Sequence, residues 1–270
     1  MAETDIKFVG AVPEVYDRFM VPMLFQPFAE EMAARVASLK PAAVLETAAG
    51  SGVVTRLLAP LLGPEARYVV TDLNPPMLER AKARQPEGAR IEWLAADALD
   101  LPFETASFDA VCCQFGVMFF PDRVKGYREA LRVLKSGAPF LFNAWDSLAH
   151  NDFASAVWDA VVAYYPNNPP DFFPRIPHGY FDEGRIRADL ASAGFGMVSV
   201  EKVAHESPVA QARDAAVAYC QGTPLRMEIV KRDPDGLAAV TDFVEAALVK
   251  RFGTGPITGK IQALVVEARA

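Results

Sequence analysis

Short apolar runs alternate with stretches of helical periodicity through the first half of the chain. "AAVLETA" (42–48), "RYVVTD" (67–72), "ARIEWLAAD" (89–97), "FDAVCCQF" (108–115) and "APFLFNAWD" (138–146) read as strands, each an apolar core bounded by turn residues. Between them, "FAEEMAARVASL" (28–39), "VVTRLLAPLL" (53–62), "PPMLERAKARQ" (75–85) and "DRVKGYREALRVLKSG" (122–137) repeat their apolar positions at helical spacing. Asn74 is placed to cap the third of these helices, whose prolines suit a first turn. Gly137 is placed to close the fourth. Strands joined through helices predict right-handed βαβ units and a largely parallel sheet.

After Asp146 the alternation changes. "NDFASAVWDAVVAYY" (151–165) is helical, but "PNNPPDFFPRIPHGYF" (166–181) is interrupted by prolines from Pro166 to Pro177 and predicts no regular structure. A helix over 182–194 leads into a sixth strand, "FGMVSVEKVAHES" (195–207). A mostly helical stretch, 208–252, precedes a closing strand, "GKIQALVVEARA" (259–270). The expectation is a single domain over 1–270, with a helical arm (1–40), a core (41–146) and insertions (147–180 and 208–258) that cap one end of the sheet.

Composition narrows the function classes. The chain has 270 residues, is 51% hydrophobic, and carries a formal charge of −7 with a pI near 5.1. That balance argues against a nucleic-acid backbone as partner, which calls for clustered Lys and Arg. Cys112, Cys113 and Cys220 form neither a disulfide framework nor a zinc pattern, and no histidine or acid cluster has metal-ligand spacing. "MAETDIKFVG" lacks the basic and apolar regions of a secretion signal. No apolar stretch is long enough to span a bilayer, so a cytoplasmic protein is expected.

The chemistry concentrates in "VLETAAGSGVVTRLLAPLL" (44–62). Gly50 and Gly52 fall at the first strand-to-helix turn, where open α/β sheets receive ligands. Asp72, about 20 residues on, ends the second strand, where a carboxylate accepts from ribose hydroxyls. Asp97 ends the third and can accept from an adenine amino group, with Leu73 and Met77 flanking the ring. Together these indicate a nucleoside-containing cofactor. The third glycine of G-x-G-x-x-G is missing, no Walker lysine is present, and Glu46 suits a cationic ligand better than a phosphate. S-adenosyl-L-methionine (SAM), positively charged and free of phosphate, is the adenosine cofactor that remains.

"VLETAAGSG", "VVTDLNPPMLERAKAR", "LAADALDLPFETASFDAVCCQFGVMFFPD" and "EALRVLKSGAPFLF" together resemble the class I SAM-dependent methyltransferases, in particular the branch with quinone-biosynthesis C-methyltransferases. The resemblance covers about 40–146. It implies a Rossmann-like seven-stranded sheet, last strand antiparallel, with helices on both faces, and a reaction that leaves S-adenosyl-L-homocysteine. It implies that Glu46, Thr47, Ala48, Ala49, Gly50 and Gly52 face the methionine part of SAM and that Asp72 meets the ribose. Met77, Asp97 and Ala98 would meet the adenine, and Gln114 would lie near the methionyl group and the substrate entrance. The family's commoner loop is Asp-x-Gly-x-Gly-x-Gly, so Glu46 and Ala48 depart from it. Because alanine resists positive φ, an extended Ala48 or a displaced loop is expected.

The acceptor is less defined. Phe115, Met118 and Phe119 after strand four suggest a small apolar or aromatic molecule, as do Tyr164, Tyr165, Phe172, Phe173, Tyr180 and Phe181 in the insertion; the alternative for the insertion is plain packing. Tyr16, in the apolar arm "YDRFMVPMLFQPF", is a candidate ligand contact. Of His150, His178 and His205, His178 is the best-placed general base. Two rival functions stay open: SAM binding without methyl transfer, and an NAD(P)-dependent oxidoreductase. Helices in 208–252 offer a surface for a homodimer.

Overall fold

A computed structural model describes residues 12–85 and 90–270. The expected N-terminal arm therefore begins outside the described residues, as does the start of the strand expected over 89–97. The strands are β1 (Ala43–Glu46), β2 (Arg67–Asp72), β3 (Glu92–Ala95), β4 (Ala110–Gln114), β5 (Phe140–Trp145), β6 (Met197–Val209) and β7 (Ile257–Arg269). They form one sheet in the order β3-β2-β1-β4-β5-β7-β6, with β1 to β5 parallel and β7 antiparallel, as the resemblance implied.

The helices are α1 (Val12–Val15), α2 (Gln26–Ser38), α3 (Val53–Leu58), α4 (Pro75–Ala83), α5 (Arg123–Val133), α6 (Asp152–Tyr164), α7 (Phe172–Arg175), α8 (Glu183–Ala193), α9 (Ala212–Gln221), α10 (Leu225–Arg232) and α11 (Leu237–Phe252). The chain divides into two compact units. Of the described residues, one holds 27–85, 90–145, 180–202 and 264–270; the other holds 12–26, 146–179 and 203–263.

In the first unit the core is the parallel sheet. β1 and β4 are buried along their apolar lengths, as strands covered on both faces must be. α5 turns Tyr127, Ala130 and Val133 inward at helical spacing, and the Asp122 side chain caps it by accepting from the Lys125 N–H at 2.9 Å. Tyr127 stacks against Phe142 and meets Phe140, which fixes the α5 face of β5. α8 is capped by Asp182 and closes on Gly194, whose φ of +111° no other residue adopts readily.

In the second unit α11 lies along α6 and α9. α1 continues into a wide π-helical segment, Tyr16–Phe25, with Pro22 inside it. Proline has no N–H and crowds the carbonyl a turn earlier, so a wider turn is the conformation that accommodates it.

Three expectations are corrected. The helix expected to close at Gly137 ends at Val133, because Leu134 is already extended; Gly137 (φ +73°) belongs to the following turn. Asn74 occupies the cap position of α4, but its side chain makes no capping bond: Pro76 has no N–H to offer, and the Met77 N–H donates to the Asn74 carbonyl at 3.0 Å. The proline-rich stretch holds one helical turn, α7, with Pro174 inside it; a proline in a first turn gives up no intrahelical hydrogen bond.

Candidate functional site

The strand order reverses beside β1, between β2 on one side and β4 on the other. In open α/β sheets this reversal leaves a crevice beyond the strands' carboxyl ends. The β1 turn enters it. The Thr47 N–H donates to the Cys112 carbonyl of β4 at 2.9 Å, and the Ala49 N–H donates to Thr71 of β2 at 3.0 Å, so the turn is tied to both neighbours.

Ala48, Gly50 and Gly52 all have positive φ, at +52°, +57° and +76°. Of the two alternatives expected, an extended Ala48 or a displaced loop, the first is therefore wrong. The turn keeps its left-handed shape and alanine carries the strain. Gly52 is also required for space, since a Cβ there would lie 2.8 Å from Ala81 Cβ of α4.

Glu46 is 2% exposed. Its Oε2 accepts from the Thr55 hydroxyl at 2.8 Å and from the Tyr68 hydroxyl. Burial raises its pKa to about 7, opposed by those two hydroxyls and by Arg56. Asp72 is also buried. Its Oδ2 accepts from the Gly50 N–H at 2.8 Å and its Oδ1 from the Asn74 N–H at 2.7 Å, so it latches the β1 turn to the start of α4. Burial raises its pKa, and the two backbone donors oppose the rise. A carboxylate has about four acceptor positions, so these bonds leave room for further donors.

The other expected contacts are dispersed around this turn. Leu73 is 50% exposed, and Met77 is buried with its Cε 3.6 Å from where a Gly50 Cβ would stand. Asp97 is exposed and accepts from the Leu99 N–H at 2.9 Å, the bond of an Asx turn; Ala98 is half-buried beside it. Ser51, in the turn itself, is buried with no partner for its hydroxyl oxygen.

Across the crevice, β4 ends in half-buried Gln114 and a second strained turn. Phe115 has φ +52°, uncommon for a bulky side chain. Its ring stacks on Trp145 with centroids 3.9 Å apart and planes 10° apart, and Phe28 of α2 meets both rings edge-on. Sequence reasoning missed Trp145 and Phe28; the available signal was an aromatic ending the fifth strand. Met118 is buried, with its sulfur accepting from the Trp145 N–H at 3.3 Å, and Phe119 is half-buried.

His178 and Tyr16 belong to the second unit. His178 is 6% exposed, and its Nδ1 lies 2.8 Å from the Asp146 carbonyl oxygen. A carbonyl only accepts, so Nδ1 carries the proton and Nε2 the lone pair. Burial lowers the pKa of His178 to about 4. Asp146 also accepts from Gln262 Nε2 at 2.7 Å, and the Asn151 amide binds the carbonyl of Asp146 and both backbone groups of Gln262. Tyr16 stacks on Phe25. Phe173 packs on Tyr219, and Tyr164 on Tyr165 and Phe243. Tyr180 falls in the first unit, buried between Tyr127, Asp189 and the Arg123 guanidinium. Phe181 beside it is 43% exposed.

The three cysteines are buried, which raises their thiol pKa values and leaves them inert at neutral pH. Among the described residues there is no metal-binding cluster and no helix long and apolar enough to cross a membrane.

A family model described as "Methyltransferase domain" matches residues 44–137. The chain is 40% identical over 164 residues to a demethylmenaquinone methyltransferase of Clavibacter sepedonicus, covering 57% of this chain and 66% of the relative. It is 37% identical over 100 residues to the chloroplastic 2-phytyl-1,4-beta-naphthoquinone methyltransferase of Arabidopsis thaliana, covering 35% of this chain and 38% of that one. The matches thus span from 38% to 66% of these relatives' lengths. The YcgJ protein of Bacillus subtilis shares the fold, with a TM-score of 0.58 at 18% identity over 90% of this chain and 99% of that one.

Proposed function

Residues 44–137 belong to the methyltransferase-domain family, and on that premise we propose that this chain transfers a methyl group from SAM to a small planar aromatic acceptor of the quinol type. The observation that carries the cofactor reading is the left-handed turn from Ala48 to Gly52, latched by Asp72 and backed by Glu46. Two acids, Glu46 and Asp72, are buried beside the turn, which suits a cationic, phosphate-free nucleoside. The Glu46–Gly52 turn and Gln114 would hold the amino-acid end, Asp72 the ribose, and Met77 with Asp97 and Ala98 the adenine.

When bound, SAM supplies an activated methyl group, so the protein's task is alignment and the exclusion of water. The Phe115–Trp145 stack and Phe28 make the ends of β4 and β5 apolar, which keeps water from that side. A quinol-type acceptor is proposed because the relatives' names specify demethylmenaquinone and 2-phytyl-1,4-beta-naphthoquinone and because aromatic walls suit a planar ring. His178 is a poor base at neutral pH, given its lowered pKa, so a readily ionised acceptor fits better than one needing strong base assistance.

Incubation with SAM and 1,4-dihydroxynaphthalene under anaerobic conditions, followed by mass spectrometry, tests the reading. A product heavier by one CH2 is expected. SAM binding with no transfer to any quinol would sink the acceptor assignment and favour a SAM-binding protein without this activity.

A further inference from the structure

We infer that Asn143 selects the acceptor, its side-chain amide bonding a hydroxyl on an aromatic ring that lies against the Phe115–Trp145 pair. The inference rests on the methyltransferase reading above.

Asn143 is 1% exposed in the middle of β5, a position where an apolar residue would be ordinary. Its Oδ1 is enclosed and has no hydrogen-bond partner, and no side-chain bond of this residue forms among the described residues. A buried amide left unpaired is a net cost, and native structures keep such groups where something else satisfies them.

Register gives the direction. Glu46 pairs with Cys112, Cys112 with Leu141, and Gln114 with Asn143. Neighbours in register on parallel strands face the same side, and so do alternate residues along one strand. Glu46, Gln114, Asn143 and Trp145 therefore share one face, opposite the face where Phe140 and Phe142 meet α5. Along that face Asn143 lies level with the end of β4, one strand beyond the crevice.

A second observation converges on the same point. The strained Phe115 donates its N–H to the Asn143 carbonyl at 3.2 Å, so the left-handed turn is pinned to this residue. Strain of this kind collects at ligand sites. Phe115 in turn stacks on Trp145, two residues past Asn143. The result is one polar group beside an apolar aromatic wall, the arrangement that orients a flat molecule by a single substituent. A hydroxyl is the substituent that fits, since it donates and accepts and so satisfies either end of the amide.

The test uses the full chain saturated with S-adenosylhomocysteine, titrated anaerobically with 1,4-dihydroxynaphthalene and, separately, naphthalene. Asn143→Leu should raise the melting temperature and leave homocysteine-product binding unchanged. It should weaken the diol by about tenfold with no effect on naphthalene. Asn143→Ser, which keeps a polar group, should restore part of the loss and serves if the leucine variant fails to fold. Equal losses for diol and naphthalene, or none, would overturn the assignment and leave Asn143 as a water-filled niche. Wild-type protein that binds the homocysteine product but not the diol would overturn it too. Failure to bind the homocysteine product at all would instead remove the methyltransferase reading on which it stands.

Discussion

Ala48 and Gly116 stand so close across the crevice that a Cβ added to Gly116 would lie 2.5 Å from Ala48 Cβ and 2.7 Å from Cys113 Sγ. The turns after β1 and β4 are thus fitted to each other, one with a methyl group and the other without. Gly116→Ala should cost about 1–3 kcal/mol, the usual range for overpacking. Ala48→Gly should relieve about 1 kcal/mol of left-handed strain. In a double-mutant cycle by urea unfolding, the Gly116→Ala cost should shrink when Ala48 is already glycine. Strict additivity would mean that the two turns are not in contact.

Glu46 predicts a pH dependence. Its pKa in the fold is raised to about 7 from an ordinary 4.5. A raised carboxyl contributes stability that is fully present below pH 4.5 and is lost as the pH climbs through 7. At 1.36 kcal/mol per unit the loss is about 3 kcal/mol. Glu46→Gln should abolish this decline between pH 4.5 and 8. If the cofactor's ammonium lies near Glu46, binding also releases a proton near pH 6.5, detectable as a buffer-dependent heat that the glutamine variant lacks.

His178 predicts the opposite slope. Its pKa falls to about 4 from 6.5, chiefly through burial. A depressed value gives stability that is full above pH 6.5 and is lost as the pH falls through 4, again by about 3 kcal/mol. Removing the imidazole with His178→Gln should flatten that acid limb in equilibrium unfolding. A limb unchanged in the variant would show that His178 titrates normally.

The sequence made the sheet legible because each parallel strand is a continuous apolar run between turn residues, and β2 was placed to the residue. The other parallel strands were drawn long, as at Thr47 and Ala48, which belong to the turn, while β6 was begun two residues early and β7 two residues late. The acids at strand ends were visible through spacing, but their partners were not. Glu46 meets Thr55 of α3 nine positions on and Tyr68 of β2 22 positions on, contacts that the turn into α3 and the register of β1 with β2 create. Asn143 and Trp145 went unnoticed for the same reason, since an alternation within one strand says nothing about what the neighbouring strand places beside it.

If the crevice beside β1 holds an S-adenosyl group, calorimetric titration of the folded protein with SAM, S-adenosylhomocysteine and NADH will show it. Both adenosyl ligands should bind at micromolar concentration, NADH should not bind, and Asp72→Ala should lose adenosyl binding. Folded protein that binds neither adenosyl ligand would rule the site out.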